Sequence, residues 1–130
     1  MPPEKGSSPE PIDSGAREKF YRAVCALATG PGDVRSRLET AYLALMATPP
    51  AVLPKCLRTE YEWVLKKLTE REKVFPWEGR LQATLRSMQN RTGVKIAEKI
   101  VLIELQLRIM DEEYRQCFET QKDREAAPEG

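Results

Sequence analysis

The sequence contains no histidine among its 130 residues. Imidazole is the commonest general base in enzymes and a frequent metal ligand, so this absence excludes every triad, dyad and metal site that depends on it. Carboxylates, lysine and cysteine are still available for chemistry. The glycines, however, form neither a phosphate-binding P-loop nor a dinucleotide fingerprint. We therefore expect a protein that is not an enzyme and that uses no metal and no cofactor.

Cysteine is scarce and odd in number, with Cys25, Cys56 and Cys117 far apart in the chain. Without a C-x-x-C pair, a structural zinc site lacks its usual ligand spacing. A disulfide framework normally needs more cysteines in so small a domain, so we expect reduced thiols, although one bridge is also compatible with the count. Cys56 follows a predicted helix start, where the helix dipole lowers the pKa of a thiol. With no histidine base nearby, we interpret it as a small core residue.

Long hydrophobic runs are absent as well. Runs such as Ile100 to Ile103 are far shorter than the roughly 20 residues that a membrane span requires. The proline-rich N-terminus lacks the apolar stretch of a signal peptide. We therefore predict a cytoplasmic protein with no membrane partner.

The two ends of the sequence are poor in apolar residues. Residues 1–14 hold four of the ten prolines and no aromatic residue, and residues 121–130 are charged and rich in small side chains. Segments with so little surface to bury tend to stay flexible. The sequence thus predicts a flexible N-terminal tail at 1–14, a single helical domain at 15–120 and a flexible C-terminal tail at 121–130.

Between the tails, apolar residues recur at helical spacings of three and four, and no segment alternates as a strand would. Ser14 is the expected N-cap of a helix that runs to about Thr29 and that Gly30-Pro31-Gly32 ends, because glycine supplies a positive-φ cap and proline cannot continue the helix. Asp33 caps a second helix, which Pro49 and Pro50 stop. A third helix begins near residue 54 or 55, a fourth covers about 80–89, and a fifth runs from 94 to about 120 after a turn at 90–93. The predicted fold is all-α: a compact bundle of four or five helices with a long C-terminal helix and flexible termini.

The fifth helix has the most regular pattern. Its seam repeats strictly at four and three residues through Ile96, Ile100, Ile103, Leu107, Met110, Tyr114 and Cys117. Further apolar residues lie outside the seam at Val101, Leu102, Leu105 and Ile109. Because a helix that is apolar on several sides is normally buried in a bundle, we expect this half to be interior.

From Asp111 onward, only one side of the fifth helix stays apolar. We call this side the C-terminal stripe, and it consists of Met110, Tyr114, Cys117 and Phe118. A one-sided stripe suits a helix that leaves the bundle and offers one face to a partner. It equally suits a helix that folds back onto the first helix of its own bundle.

Residues 73–79 form an aromatic-rich segment, the aromatic loop, that contains Phe75 and Trp77. Exposed aromatic area is unusual in a loop unless it is covered or used for binding. The two rings therefore either anchor a partner or fold inward to plug the end of the bundle. We favour the interpretation in which the rings fold inward, and the two residues are our second candidate for a partner-binding surface.

The net charge of +1 conceals an uneven distribution. Residues 1–14 carry −2, residues 15–95 carry +7 and residues 96–130 carry −4. A basic body attracts phosphate backbones. Its clustered candidates for such contacts are Arg80, Arg86, Arg91, Lys95 and Lys99. The same residues are also typical of solvated faces, and neither a helix-turn-helix register nor a ribonucleoprotein-type motif accompanies them.

These features favour a non-enzymatic protein–protein interaction module: an adaptor, regulator or self-associating subunit that uses its C-terminal helix. Its expected partner is another protein or a second copy of itself. The expected contact residues are the C-terminal stripe and the two aromatic side chains of the aromatic loop. The alternative is an accessory or regulatory nucleic-acid-binding protein that uses the basic body at 15–95.

Overall fold

A computed structural model describes the backbone of residues 10–126 and the side chains of residues 10–120. The predicted all-α bundle with a long C-terminal helix is confirmed, since the described residues form helices and no strand. The helices are α1 (Ser14–Thr29), α2 (Val34–Leu45), α3 (Lys55–Leu68), α4 (Arg80–Ser87) and α5 (Asn90–Ala126), with a 3₁₀ turn at Pro50–Val52. The predicted tails fall largely outside the described residues, although the backbone of residues 121–126 continues α5.

Aspartate side chains begin the first two helices. Asp33 caps α2 as predicted, because its carboxylate accepts hydrogen bonds from two backbone N–H groups of the first turn. The cap of α1 is Asp13, which accepts a hydrogen bond of 2.8 Å from the N–H of Ala16. The prediction that Ser14 would be this cap was wrong by one residue. Both residues are good caps, and the carboxylate is the one that reaches the free N–H groups.

The turn between α1 and α2 lies at Gly30-Pro31-Gly32 as predicted, and its two glycines differ in conformation. Gly30 is extended, with φ −69°, and its N–H ends α1 by donating to the carbonyl of Ala26. The positive φ belongs to Gly32, at 84°. A side chain at Gly32 would be strained in this conformation and would also meet Ser36 at 2.9 Å.

The turn predicted at residues 90–93 is the first turn of α5 instead. Gly93 lies inside this helix and is buried. A Cβ atom added at Gly93 would lie 2.9 Å from Cγ1 of Val34 and 3.3 Å from Cδ1 of Leu38. The glycine therefore marks a close approach between α5 and α2 rather than a helix end.

The core forms where α5 packs against α1, α2 and α3. One side of α5 supplies four fully buried residues of the predicted seam, and α1 to α3 surround them. The largest fully buried side chains of the core are Phe20, Leu38, Leu45, Leu53, Tyr61, Val64, Leu68, Ile96, Ile100, Ile103 and Leu107. No helix in the described range, α5 included, is long and apolar enough to cross a membrane.

Candidate interaction surfaces

The first half of the C-terminal stripe lies against its own bundle. Met110 is half-buried and packs on the core. Tyr114 is half-buried beside the start of α1, where it lines a groove with Ile12. An ion pair between Arg17 and Asp111 joins α1 to α5 at the same place. This half of the stripe therefore follows the second interpretation, in which the helix folds back onto α1.

The second half of the C-terminal stripe is open. Cys117 is exposed, and Phe118 is 55% exposed. The Phe118 ring stacks on that of Tyr114, with the ring centroids 6.4 Å apart. All of residues 115–120 are exposed. Only this end of the stripe is therefore accessible to a partner.

The most extensive apolar surface of α5 lies on the side opposite the core. We call it the outward face; its members are 39–51% exposed and comprise Val94, Val101, Leu102, Leu105 and Ile109. At 100° per residue, these five fall on the arc opposite the buried seam. The prediction that this half of the helix would be interior is therefore confirmed for the seam and wrong for the apolar residues outside it. α1, α2 and α3 cover one side of α5, and the described residues place nothing over the other.

A groove widens the outward face on one side. It lies where α5 meets α1 and α2 and has a volume of about 550 Å³. Its lining is Val24, Leu27, Ala28, Val34, Val94, Ala97, Glu98, Val101 and Leu102. Glu98 is the one charged side chain in this set. A second groove, on the other side of α5, is lined mostly by polar and charged residues, in the set Thr59, Glu60, Trp63, Lys95, Glu98, Lys99 and Leu102. The apolar surface is therefore continuous on the side of the first groove, and on the other side it is bordered by charged side chains.

The aromatic loop does not plug the bundle. Trp77 is 79% exposed and Phe75 is 39% exposed, so the favoured interpretation of these residues was wrong. The two rings stack on each other with centroids 4.8 Å apart and planes 12° apart. The guanidinium of Arg86 lies 4.9 Å from the centroid of the Phe75 ring, which is within cation–π range.

Glu78, which the sequence analysis did not single out, fixes the shape of the aromatic loop. Its carboxylate is almost fully buried and accepts hydrogen bonds from the N–H groups of Val74 (2.7 Å) and Phe75 (3.0 Å). It also pairs with the guanidinium of Arg86. Chiefly because of the hydrogen bond from Arg86, the pKa of Glu78 lies below its ordinary value. The carboxylate of Glu78 thus links the backbone of the aromatic loop to α4, next in sequence to the exposed Trp77.

Replacing Glu78 with glutamine is expected to loosen the aromatic loop at neutral pH, because the amide carries no charge to pair with Arg86 and accepts with only one oxygen. Protonation acts in the same direction. Folding lowers the pKa of Glu78 from its ordinary value of 4.5. The stabilisation of the loop by this carboxylate is therefore complete above pH 4.5 and is lost as the pH falls through the folded-state pKa. The fluorescence anisotropy of Trp77, measured with Trp63 replaced by phenylalanine, should therefore fall in acid.

The control for this experiment is Glu72→Gln, since Glu72 pairs with Arg80 but is exposed. We expect that variant to keep the acid transition of the parent protein. In Glu78→Gln, the anisotropy should already be low at pH 7 and should change little with pH. A parent anisotropy that stays constant from neutral pH down to the onset of global acid unfolding would contradict the role assigned to Glu78.

The basic candidates for nucleic-acid contact do not form one free patch. Three of them pair with neighbouring carboxylates: Arg80 with Glu72, Arg86 with Glu78, and Lys99 with Glu60. Arg91 and Lys95 are exposed at the start of α5 and make no ion pair with a side chain that the structure describes. Much of the positive charge in the predicted cluster is therefore balanced locally.

The thiols are all free, and two of the three are accessible. Cys56 is exposed at the start of α3, so the prediction that it would be a core residue was wrong. Cys117 is also exposed, whereas Cys25 is half-buried on α1. In the part of the chain that the structure describes, no three side chains of Asp, Glu, Cys or His lie together in a way that would hold a metal ion.

One acidic side chain of α5, that of Glu104, is buried. Glu104 is 4% exposed and accepts a hydrogen bond of 2.7 Å from Arg108, one turn further along the helix. Arg108 itself is largely exposed, so the positive charge that balances Glu104 lies at the surface.

The described residues present three accessible features: the outward face, the end of the C-terminal stripe and the aromatic loop. No known protein family, curated protein or solved structure matches the chain at a significant level.

Proposed function

We propose that this protein is a non-enzymatic interaction module whose C-terminal helix binds another polypeptide through its outward face. The observation that carries the proposal is the exposure of five large apolar side chains on one helix, next to an apolar groove. Full burial of one such side chain is favourable by about 1.5–3 kcal/mol. A partner that covers even part of this surface gains a substantial hydrophobic contribution to its binding free energy.

The position of the outward face on α5 supports the same proposal. The opposite side of this helix is the seam, whose residues from Ile96 to Leu107 are essentially inaccessible to solvent. A surface held by the core of its own domain loses little conformational freedom when a partner binds. Phe118 lies on the seam side of α5, outside the outward face, so Trp77 and Phe118 are separate exposed aromatic side chains of the kind that often dominate binding energy at interfaces.

The proposal is tested by affinity capture with two variants that add charge to different apolar surfaces. Leu102→Glu/Ile109→Glu changes the outward face, and Leu43→Glu/Met46→Glu changes two exposed residues near the end of α2. All side chains replaced are at least 44% exposed, so both variants should keep the circular dichroism of the parent. We expect the parent and the α2 variant to retain one or more polypeptides that the outward-face variant loses.

A copy of the chain itself, carrying a second tag, is included among the candidate binding partners in this experiment. If the parent retains nothing specifically, or if both variants retain the same polypeptides as the parent, then the outward face is not a binding surface and the proposal fails.

A further inference from the structure

We infer that the outward face binds a second copy of this chain, with the two α5 helices antiparallel and related by a twofold axis near Leu102. The inference rests on the proposed function, because it names the partner of the same surface. Two features of α5 carry it: the position of its unpaired charges and the extent of its apolar face.

The charges that flank the outward face have opposite signs at its two ends. Arg91 and Lys95 lie before its centre, whereas Glu112 and Glu113 follow it. All four side chains are exposed, and none pairs with an oppositely charged side chain among those that the structure describes. An antiparallel second copy brings the basic end of one helix over the acidic end of the other. A parallel copy would bring like charges together, which is unfavourable.

The apolar residues are centred on the same point as these charges. The outward face runs from Val94 to Ile109, about 22 Å at 1.5 Å per residue. Its midpoint falls between Val101 and Leu102. The midpoint between Arg91 and Glu113 is Leu102. An interface between two identical chains around a twofold axis must be complementary to itself, and a shared centre of apolar surface and opposite charge meets this requirement.

Glu98, the one acidic residue inside the apolar surface, also lies near a basic residue of the second copy in this arrangement. Glu98 precedes Leu102 by about one turn, and Arg108 follows it by somewhat less than two turns. An antiparallel copy therefore brings its Arg108 into the neighbourhood of Glu98. The Arg108 guanidinium is well exposed although it also contacts Glu104, so it is accessible to a second carboxylate.

The two grooves beside α5 widen the contact. A pair of helices that met only along one ridge would bury less than the roughly 800 Å² per partner of a standard interface. The groove walls formed by Val24 and Leu27 on one side and by Trp63 on the other extend the surface available to the second copy. We expect a reversible dimer.

The geometry is tested by cross-linking of single cysteines, after serine replaces the three native cysteines. A short bismaleimide should join two chains that carry Leu102→Cys, because this position lies at the axis. It should not join two chains that carry Val94→Cys, since antiparallel helices separate these positions by about 24 Å. A mixture of Val94→Cys and Ile109→Cys chains should be joined to each other.

The role of charge is tested by sedimentation. Arg91→Glu should weaken the dimer about tenfold, since two exposed ion pairs are lost per dimer. Adding Glu113→Arg to the same chain should restore the parent affinity. The matched control, Arg71→Glu, reverses an exposed charge outside α5 and should leave the affinity unchanged.

Two results would overturn the inference: a chain that sediments as a monomer at every concentration, or Val94→Cys chains that cross-link as well as Leu102→Cys chains do. The capture experiment separates these failures from that of the proposed function. If the chain is a monomer but its outward face still retains a different polypeptide, the interaction module stands and the second copy is excluded.

Discussion

Replacement of Leu107 with alanine is expected to lower the free energy of unfolding by about 2–5 kcal/mol. Leu107 belongs to the seam of α5 and is fully buried in the core. The substitution removes apolar contacts and leaves a cavity that a packed bundle fills only in part. Small domains are stable by about 5–15 kcal/mol, so this single change is a large fraction of the total.

The matched control for this prediction is Leu43→Ala. Leu43 has the same side chain but is 58% exposed on α2, so we expect its replacement to change stability by less than about 0.5 kcal/mol. Urea denaturation followed by circular dichroism measures both values. Similar losses of stability for the two variants would mean that position 107 is not in the core.

Replacement of Tyr61 with phenylalanine is expected to destabilise the fold by about 1–3 kcal/mol, although the ring and its packing are retained. Tyr61 is fully buried, and its ring meets that of Phe20 edge to face with centroids 5.1 Å apart. Its hydroxyl donates toward the carbonyl oxygens of Thr48 at 2.7 Å and Leu45 at 3.0 Å. The Leu45 oxygen also accepts from the N–H of Thr48, so the Thr48 oxygen depends most on the hydroxyl.

Burial raises the pKa of Tyr61, so its hydroxyl stays protonated and continues to donate at alkaline pH. Tyr21→Phe serves as the control, because Tyr21 is 61% exposed and its loss should change stability by less than about 0.5 kcal/mol. Thermal unfolding of both variants tests the prediction. If Tyr61→Phe unfolds at the parent temperature, the two carbonyl groups do not need the hydroxyl.

The sequence was sufficient to predict the parts of the fold that depend on local signals. The four–three spacing of Ile96, Ile100, Ile103 and Leu107 marks the buried side of α5, because a single helix face must supply the core. Asp33 marks the start of α2 because its short carboxylate reaches the free N–H groups there. Both signals act within a few residues of the chain and need no knowledge of the tertiary structure.

The exposure of the outward face could not be predicted, because helical periodicity shows which residues are apolar and not what covers them. A domain with few helices lacks the elements to enclose a long helix on all sides, and Leu102 and Leu105 are therefore left exposed. The helical turn at Gly93 was missed for a related reason. Glycine suggests a break by propensity, whereas here it is needed for contact with Val34, which is distant in sequence.

The sequence predicts the aromatic segment as a loop, but it predicts neither the exposure of the aromatic rings nor the hydrogen bonds that hold the loop in shape. Its shape depends on Glu78, whose carboxylate binds two loop N–H groups and a guanidinium from α4. Such a charge cannot be distinguished from a solvated one by its place in the sequence. The candidate sites therefore emerge from the packing, in which Trp77 is left outside while Glu78 is buried.

The position of α5 in chain order has a consequence for how the protein is synthesised. α5 follows α1 to α4 and contacts α1, α2 and α3, so the earlier helices cannot complete the core without it. Because α1 and α2 also pack on each other, they can pair while the chain is still being translated. The remaining apolar faces stay uncovered until residues as late as Leu107 have left the ribosome. The fold should therefore be completed only after α5 has emerged, and chaperones that shield apolar segments would act on this chain before that point.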